Sequence, residues 1–300
     1  GIVLARRTGA EGESRVVSKA GGKLLGPLRP VLRPTYRRLK EFYDYSGFRV
    51  IQQSPYDNIY HCCTQKTASQ WFRRVFCDPI VYRYAGLKPF RYRQLGLKEA
   101  HFDEPLPERT IAIHLYVDHA TYAAIPKPER FKTFFILRDP RDIVVSWYFS
   151  AKFSHKPVYP IPELRKNLEQ LDMREGFRYL TDAWDGFGLF DAQRSWMSQG
   201  VDEDNVKVFR FEDFSADNHL FLKDLLAYLE IELPQQEFEA LYDRHKFSQI
   251  AKGREQGVED AQSHFRKGVS GDWKNYFDDS VMAHFEQVTG DLLQVLGYQD

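Results

Sequence analysis

A lysine followed by hydroxyl and amide side chains comes directly after a short apolar run. The run is 59–63, and Lys66 is followed by Thr67, Ser69 and Gln70, where a helix-like segment begins. Free N–H groups at a helix N-terminus, together with a lysine and hydroxyls, can hold a phosphate group at the carboxyl end of a parallel strand. The glycines of a Walker A loop are missing, so an ordinary surface turn is the alternative.

An arginine closes another apolar run and is followed by a pattern typical of a helix start. The run is 133–137, and Arg138 is followed by Asp139, which suits an N-cap, and by Pro140, which suits a first helical turn. Arg138 could therefore reach an anion from the tip of a strand. An arginine that only pairs with Asp142 is the structural alternative, and these residues leave both open.

Two cations and two glycines come together near the end of the chain. Arg266 and Lys267 precede Gly268, and Gly271 follows within the segment 265–275. Charge-assisted hydrogen bonds from the cations can hold a phosphate, and the glycines let the backbone approach a ligand closely. A plain surface loop is the alternative, but it would leave the glycines without a role.

The three segments lie among apolar runs and amphipathic stretches that predict alternating strands and helices. Strands are predicted at 59–63, 110–115, 133–137 and 206–211, and helices from Ser69, after Pro140, around 222–229 and from Pro234. Strands this apolar are typical of a parallel sheet that is covered on both faces. The pattern predicts an α/β fold with one three-layer domain, in which helices flank a central parallel sheet.

The composition gives the chain no overall preference for a charged partner. Lys plus Arg and Asp plus Glu both number 42, so we expect no nucleic-acid partner and only a local anion site. No apolar run is long enough for a membrane span. Two of the three cysteines are adjacent, which suits a reduced cytoplasmic protein better than a disulfide framework.

The first part of the chain differs in composition from the rest. Residues 1–45 carry many lysines and arginines, few acids, and interspersed glycines and prolines. We expect them to form a basic, partly flexible arm that ends in a short helix around 35–45, with docking to a partner as the alternative. Residues 46–300 are then the globular domain.

In their order and spacing, the three segments resemble the cofactor motifs of the cytosolic-type sulfotransferases that use PAPS, 3'-phosphoadenosine-5'-phosphosulfate. Residues 65–71 are similar to that family's 5'-phosphosulfate loop, 138–146 to its 3'-phosphate motif, 266–275 to its C-terminal loop and 208–213 to its core strand with an aromatic-Glu-Asp turn. The resemblance covers about residues 55–298. It implies a P-loop-like fold, with 46–300 as the sulfotransferase domain.

The resemblance also implies roles for the matching residues. Lys66 would contact the oxygen that bridges phosphate and sulfate, and Trp71 would lie near the adenine. The other cofactor-binding positions are Thr67, Ala68, Ser69 and Gln70 in the 5' loop, Arg138, Ser146, Arg266, Lys267 and Gly268 at the 3'-phosphate, and Phe211 near the adenine. PAPS would be the donor and PAP, 3'-phosphoadenosine-5'-phosphate, the product.

The sequence departs from the family's pattern at several positions. Ala68 stands where glycine is usual, Ala112 where many members carry a lysine, and Phe211 where a tyrosine would supply a hydroxyl. The usual proline before Lys66 is also missing. We therefore interpret the chain as a divergent branch.

The family's general base is a histidine at the end of the second core strand, and by resemblance His114 takes that place. A histidine that only serves the core is the alternative, and Asp118 and His119 are reserve candidates. The His-Cys-Cys run at 61–63 would point to alternating faces of a strand, and no second ligand pair has zinc spacing. We predict no metal.

The acceptor of the sulfuryl group is not specified by any motif. By resemblance, residues 149–200 form much of the lid and pocket, and their aromatic side chains favour a partly apolar small molecule or carrier-tethered intermediate with a hydroxyl group. Two rival functions remain. A P-loop nucleotide kinase would need the Walker A loop that is missing here, and a PAPS-binding module without activity would need no base.

Overall fold

The computed structural model describes residues 45, 47–92, 97, 98, 100–199, 204–251, 253–263 and 266–298. The chain divides into two compact units, residues 1–49 and residues 50–300. The predicted basic arm and its short helix lie almost wholly outside the described residues, and Phe265 lies outside them too. The sheet and the site belong to the second unit.

Five strands form one parallel sheet. They are β1 (Asn58–Cys63), β2 (Lys88–Phe90), β3 (Thr110–Tyr116), β4 (Phe131–Leu137) and β5 (Val206–Arg210). Their order across the sheet is β2-β3-β1-β4-β5, and each neighbouring pair is parallel. The predicted α/β class is therefore confirmed. The sequence pattern missed β2, because three residues are too few to show a period.

Helices precede and follow the strands throughout the second unit. They are α1 (Ser69–Phe76), α2 (Pro79–Ala85), α3 (His119–Ala124), α4 (Pro140–Phe149), α5 (Ile161–Leu168), α6 (Met173–Gly186), α7 (Leu189–Ser198), α8 (Phe211–Ala216), α9 (Asn218–Tyr228), α10 (Gln235–His245), α11 (Phe247–Ile250), α12 (Asp279–Thr289) and α13 (Leu292–Leu296). A π-helical turn, Ser150–Ser154, continues α4, and a 3-10 turn, Asp272–Asn275, lies in the C-terminal loop.

The sheet separates two hydrophobic clusters, because successive strand side chains point to opposite faces. Ile59 and Cys63 of β1 pack on one side with α1 and α9. Tyr60 and Cys62 pack on the other side with α4, α6 and α7. The predicted apolar stripe at 222–229 is buried in the first cluster. Burial of both faces produces the three layers and explains why the strands are apolar throughout.

The end of β3 differs from the sequence-based prediction. The strand runs to Tyr116, so His114 does not close it. Pairing with β1 changes register between Ala112 and Leu115, and His114 has a φ angle of 43°. Its backbone N–H donates to Nδ1 of the buried His61 at 3.3 Å, instead of to the sheet ladder. His114 therefore sits in a β-bulge, a feature that changes the direction of a side chain.

The described part of the chain contains no helix that is long and apolar enough to cross a membrane. Within the same residues, no group of three or more His, Cys, Asp or Glu side chains could hold a metal ion. His61 is instead packed in the core, where its ring stacks on that of Phe134 at a centroid distance of 4.7 Å. The three cysteines lie within the described residues, and none of them forms a disulfide.

Candidate active site

The loop between β1 and α1 turns sharply at the carboxyl edge of the sheet. Lys66 and Ala68 have positive φ angles of 66° and 61°, which residues with a Cβ rarely adopt. Ala68 is the residue before α1, where the family pattern has glycine, and glycine would adopt this conformation at lower cost. Thr67 Oγ1 donates to the carbonyl oxygen of Thr64 at 2.8 Å and so ties the loop together.

The second motif joins β4 to α4 as predicted. The side chain of Asp139 accepts from the backbone N–H of Arg141, and Pro140 begins the helix. Arg141 has a structural role, because its buried guanidinium pairs with the Asp139 carboxylate at 2.9 Å. Arg138 Nη1 donates to the carbonyl oxygen of Lys66 at 2.7 Å. The first two motifs are therefore in direct contact.

Asp142 holds the third motif in place. Its two carboxylate oxygens accept the backbone N–H groups of Gly271 at 2.7 Å and Trp273 at 2.9 Å. Burial raises the pKa of Asp142, and the charge of Arg138 acts in the opposite direction. The sequence suggested Asp142 only as a partner of an arginine. Its partners lie far along the chain, and no local pattern signals such a contact.

Two acids orient the cations of the C-terminal loop. Arg266 Nη2 and Lys267 Nζ donate to the two carboxylate oxygens of Asp272 at 2.5 Å and 2.6 Å. Arg266 Nη1 also donates to Glu259 at 2.6 Å, and its guanidinium lies 4.5 Å from the centroid of the Phe149 ring. The two cations are thus held side by side.

Gly268 is required by a close approach to another side chain. Its φ angle is 71°, and a Cβ added here would lie 2.6 Å from the ring of Phe247. Its carbonyl oxygen accepts from Gln256 Nε2 at 2.7 Å. The close approach to a ligand stays a prediction, and the neighbour that the structure shows is a ring on α11 that the sequence could not identify.

The three motifs meet at one cavity of about 500 Å³. Of the predicted cofactor-binding residues, those that line it are Lys66, Ala68, Ser69, Gln70, Trp71, Arg138, Ser146, Phe211, Arg266, Lys267 and Gly268. Thr67 does not line the cavity. Its side chain is buried, and its hydroxyl donates a hydrogen bond within the loop. Positions 66 and 268 are thus brought to one site by the fold.

Two aromatic residues form part of this wall at the predicted adenine end. Trp71 is held by its indole N–H, which donates to the carbonyl oxygen of His245 at 2.8 Å, and by the ring of Phe214 at 4.8 Å. The Phe211 ring lies under the guanidinium of Arg138 at 4.1 Å. A phenylalanine in place of the family's tyrosine therefore still supports Arg138 by a cation–π contact.

Lys66 is surrounded by positive charge. Burial, with the charges of Arg138 and Arg266, lowers the pKa of Lys66 to about 7. Its ammonium lies 4.8 Å from the centroid of the Trp147 ring. Three cations that repel one another in a partly buried space form a site that favours an anion.

The other end of the cavity is lined mainly by aromatic and small polar residues. Of the aromatic residues in the predicted lid and pocket segment 149–200, Phe149, Tyr159, Trp184 and Phe187 line the cavity, and Trp147 lines it too. Phe177 and Phe190 are buried in the core instead. Ser150, Ser154 and His155 add polar groups to this wall.

The predicted base and its reserves do not line the cavity. His114 lies beside Tyr116, which does line it, at a ring distance of 5.6 Å. Burial and the charges of Arg91 and Arg73 lower the pKa of His114 to about 4. Asp118 caps α3, and the ring of His119 packs against Trp196 at 5.2 Å.

The carboxyl edge of this parallel α/β sheet joins a strand-to-helix loop to two further basic segments. This is the place at which open α/β sheets bind ligands. Residues 39–297 match the family model described as "Sulfotransferase domain". The chain belongs to this family.

Relatives and one solved structure agree with that assignment. Sulfotransferase 6B1 of Danio rerio is 25% identical over 190 residues, 61% of this chain and 58% of the relative. Sulfotransferase 2A1 of Homo sapiens is 25% identical over 189 residues, 58% of this chain and 61% of the relative. The match thus spans about three fifths of each relative. A crystal structure of mouse SULT7A1 complexed with PAP is 22% identical, with a TM-score of 0.55 over 85% of this chain and 88% of that one, and shows the same fold.

Proposed function

We propose that this protein transfers the sulfuryl group of PAPS to a hydroxyl group on a small-molecule or carrier-tethered acceptor. The observation that carries the proposal is the single cavity, which joins all three basic segments to an aromatic wall. Mouse SULT7A1, which shares the fold, binds PAP in its crystal structure. A reducing compartment such as the cytoplasm suits three cysteines that form no disulfide.

The nucleotide binds along the basic wall. Arg138, Ser146 and the Arg266–Gly268 segment hold the 3'-phosphate, because paired cations and N–H groups form charge-assisted bonds to a dianion. The loop at 66–70 holds the 5'-phosphosulfate at the N-terminus of α1. Trp71 packs against the adenine, and Phe211 lies near it on the same cavity wall.

Transfer is an in-line displacement at sulfur. The acceptor oxygen forms a bond to sulfur while the bond from sulfur to the bridging oxygen breaks, and the electron pair of that bond leaves with PAP. Lys66 stabilises the charge that grows on the leaving phosphate, so its effect is largest in the transition state. Positioning of both substrates supplies much of the remaining rate.

A histidine takes the acceptor's proton in this proposal. The resemblance gives that role to His114, whose ring lies next to the cavity-lining Tyr116. The role of His114 is a prediction that a variant can decide. If His114 is the base, His114→Ala lowers kcat by at least about 10²-fold while PAP binding is retained.

The affinity for PAP is expected to depend on the charge of Lys66. Its pKa of about 7 is below the ordinary lysine value, so Lys66 is protonated and attracts phosphate below pH 7 and loses its charge above it. PAP affinity should therefore be highest below pH 7 and should fall by up to about tenfold per pH unit above it. Calorimetry from about pH 7 to about pH 9, where phosphates are fully ionised, measures this dependence. Lys66→Met is the control, and an equal slope in that variant would contradict the assignment.

Incubation with PAPS and a panel of phenols, alcohols and amines tests the function itself. We expect PAP release together with an acceptor whose mass rises by one sulfuryl group, in the presence of EDTA. ATP with Mg²⁺ is the control for the kinase alternative, which requires an acidic metal site and a Walker A loop. Metal-dependent phosphorylation without use of PAPS would overturn the proposal, and tight PAP binding without any transfer would indicate the inactive binding module.

A further inference from the structure

The peptide bond between Arg138 and Asp139 lies just beyond the sheet and is held by two side chains. The strand β4 ends at Leu137, one residue before this peptide. The carbonyl oxygen of Arg138 accepts from Gln193 Nε2 at 2.7 Å, and the N–H of Asp139 donates to Glu212 Oε1 at 3.0 Å. Gln193 lies on α7 and Glu212 lies on α8. The backbone at the base of the Arg138 side chain is therefore fixed from two different helices.

Gln193 is an amide in an apolar part of the core. It is fully buried, and its neighbours Phe190, Ala192 and Trp196 on α7 belong to a hydrophobic cluster. Within the described residues, Oε1 of Gln193 is buried without a hydrogen-bond partner. An unpaired buried polar atom costs stability, so an apolar side chain of similar length would pack here at lower cost. What glutamine adds is the hydrogen bond to the Arg138 carbonyl oxygen.

The helix that carries Gln193 is fixed against the sheet by Trp196. The indole N–H of Trp196 donates to the carbonyl oxygen of Val117 at 2.9 Å, and its ring stacks on that of Phe135 at 4.5 Å. Gln193 and Trp196 lie about one turn apart on the same face of α7. The amide of Gln193 is thus held at a fixed place beside the end of β4.

The other end of Arg138 is also fixed. Its Nη1 donates to the carbonyl oxygen of Lys66 at 2.7 Å, and its guanidinium lies 4.1 Å from the centroid of the Phe211 ring. Arg138 lines the cavity. A planar guanidinium binds phosphate through two parallel N–H donors, so the direction of its plane matters. A side chain that already points in the right direction loses less entropy when the ligand binds.

We propose that Gln193 is a positioning residue, whose hydrogen bond to the Arg138 carbonyl oxygen directs the Arg138 guanidinium toward the 3'-phosphate of the donor. This inference rests on the proposed function. Gln193 is not among the residues that line the cavity, so it acts through Arg138. Glu212 holds the other side of the same peptide and is itself held by Tyr298, whose hydroxyl donates to Glu212 Oε2 at 2.8 Å. The preference of this protein for a 3'-phosphorylated nucleotide therefore depends on Gln193.

Gln193→Met tests the proposal with two nucleotides. Methionine has a similar length and packs well among apolar side chains, but it leaves the Arg138 carbonyl oxygen without this partner. We expect the Kd of PAP, measured by calorimetry, to rise about tenfold. The Kd of adenosine 5'-phosphosulfate, which lacks the 3'-phosphate, should change by less than about twofold. The KM for PAPS should rise about tenfold, whereas kcat at saturating PAPS stays within about threefold.

Two comparisons separate positioning of Arg138 from a general structural effect. Trp196→Phe is the matched control, because it also removes a donor on α7 to a backbone carbonyl oxygen, that of Val117. It should leave the ratio of the two Kd values unchanged. In an Arg138→Ala background, Gln193→Met should weaken PAP binding by less than about twofold, because the guanidinium that Gln193 directs is absent.

Gln193→Leu, which also packs among apolar side chains, is a second variant and should give the same pattern as Gln193→Met. Unchanged PAP affinity in both variants would overturn the inference. An equal loss of affinity for both nucleotides, or an undiminished loss in the Arg138→Ala background, would also overturn it, because Gln193 would then serve only the core. Absence of PAP binding by the wild-type protein would instead reject the proposed function.

Discussion

Replacing Lys66 with methionine is expected to lower kcat/KM for sulfuryl transfer by about 10³- to 10⁵-fold. Loss of one group that stabilises transition-state charge costs about 10²- to 10³-fold in kcat. Loss of a charged hydrogen bond to the donor, about 1.5–3 kcal/mol, adds roughly another 10- to 100-fold. Methionine keeps the length of the side chain and its contact with Trp147, so the charge is the main change.

Steady-state rates with PAPS, together with PAP binding by calorimetry, measure the two parts separately. Lys98→Met is the matched control, because Lys98 lines the same cavity but its ammonium donates to the carbonyl oxygen of Gly186 at 3.0 Å. We expect this control to change kcat/KM by less than about tenfold. A Lys66→Met variant as active as the Lys98→Met variant would contradict the role of Lys66.

Replacing Arg138 with alanine is expected to weaken PAP binding by about 10²- to 10³-fold, whereas kcat at saturating PAPS falls much less. Removal of one partner of a buried, hydrogen-bonded charge pair costs about 2–5 kcal/mol, and this variant should fall in the middle of that range. The buried Arg138 lies over the Phe211 ring at 4.1 Å and donates to the carbonyl oxygen of Lys66. Its loss removes charge at the 3'-phosphate.

The control for Arg138 lies at the end of the neighbouring strand. Arg210 closes β5, and its Nη2 donates to the carbonyl oxygen of Leu296 at 2.9 Å. Neither Arg210 nor Leu296 lines the cavity. Arg210→Ala should leave PAP affinity unchanged. Adenosine 5'-phosphosulfate, which lacks the 3'-phosphate, should bind the wild type and Arg138→Ala almost equally. A large difference for that ligand would assign Arg138 to another part of the nucleotide.

Much of the second unit could be predicted from local residue patterns. Apolar runs marked four of the five strands, and Asp139 with Pro140 marked the start of α4, because an N-cap and a first-turn proline act within a few residues. The expectation that these loops bind phosphate followed from residue type in the same way. That expectation required only that Lys66 and Arg266 carry a positive charge and lie next to turns.

The sequence could not show how the histidines are placed. The bulge at His114 depends on a hydrogen bond to His61, which lies on the adjacent strand. The position of His155 depends on Arg165 of α5, which donates to the carbonyl oxygens of Ala151 and of His155 itself. Both contacts join residues on different elements, so no periodicity or spacing reports them.

The residue types and their order thus determined the parallel α/β class and the three basic segments. Those properties are local, since strand period, helix caps and the charge of a loop are set by neighbours in sequence. Only the tertiary structure decided that Asp142 anchors the loop at Gly271 and that the segments share one cavity. It also decided that His155, and not His114, lines that cavity. These outcomes depend on packing between elements, where a shift of one strand residue turns a side chain to the opposite face.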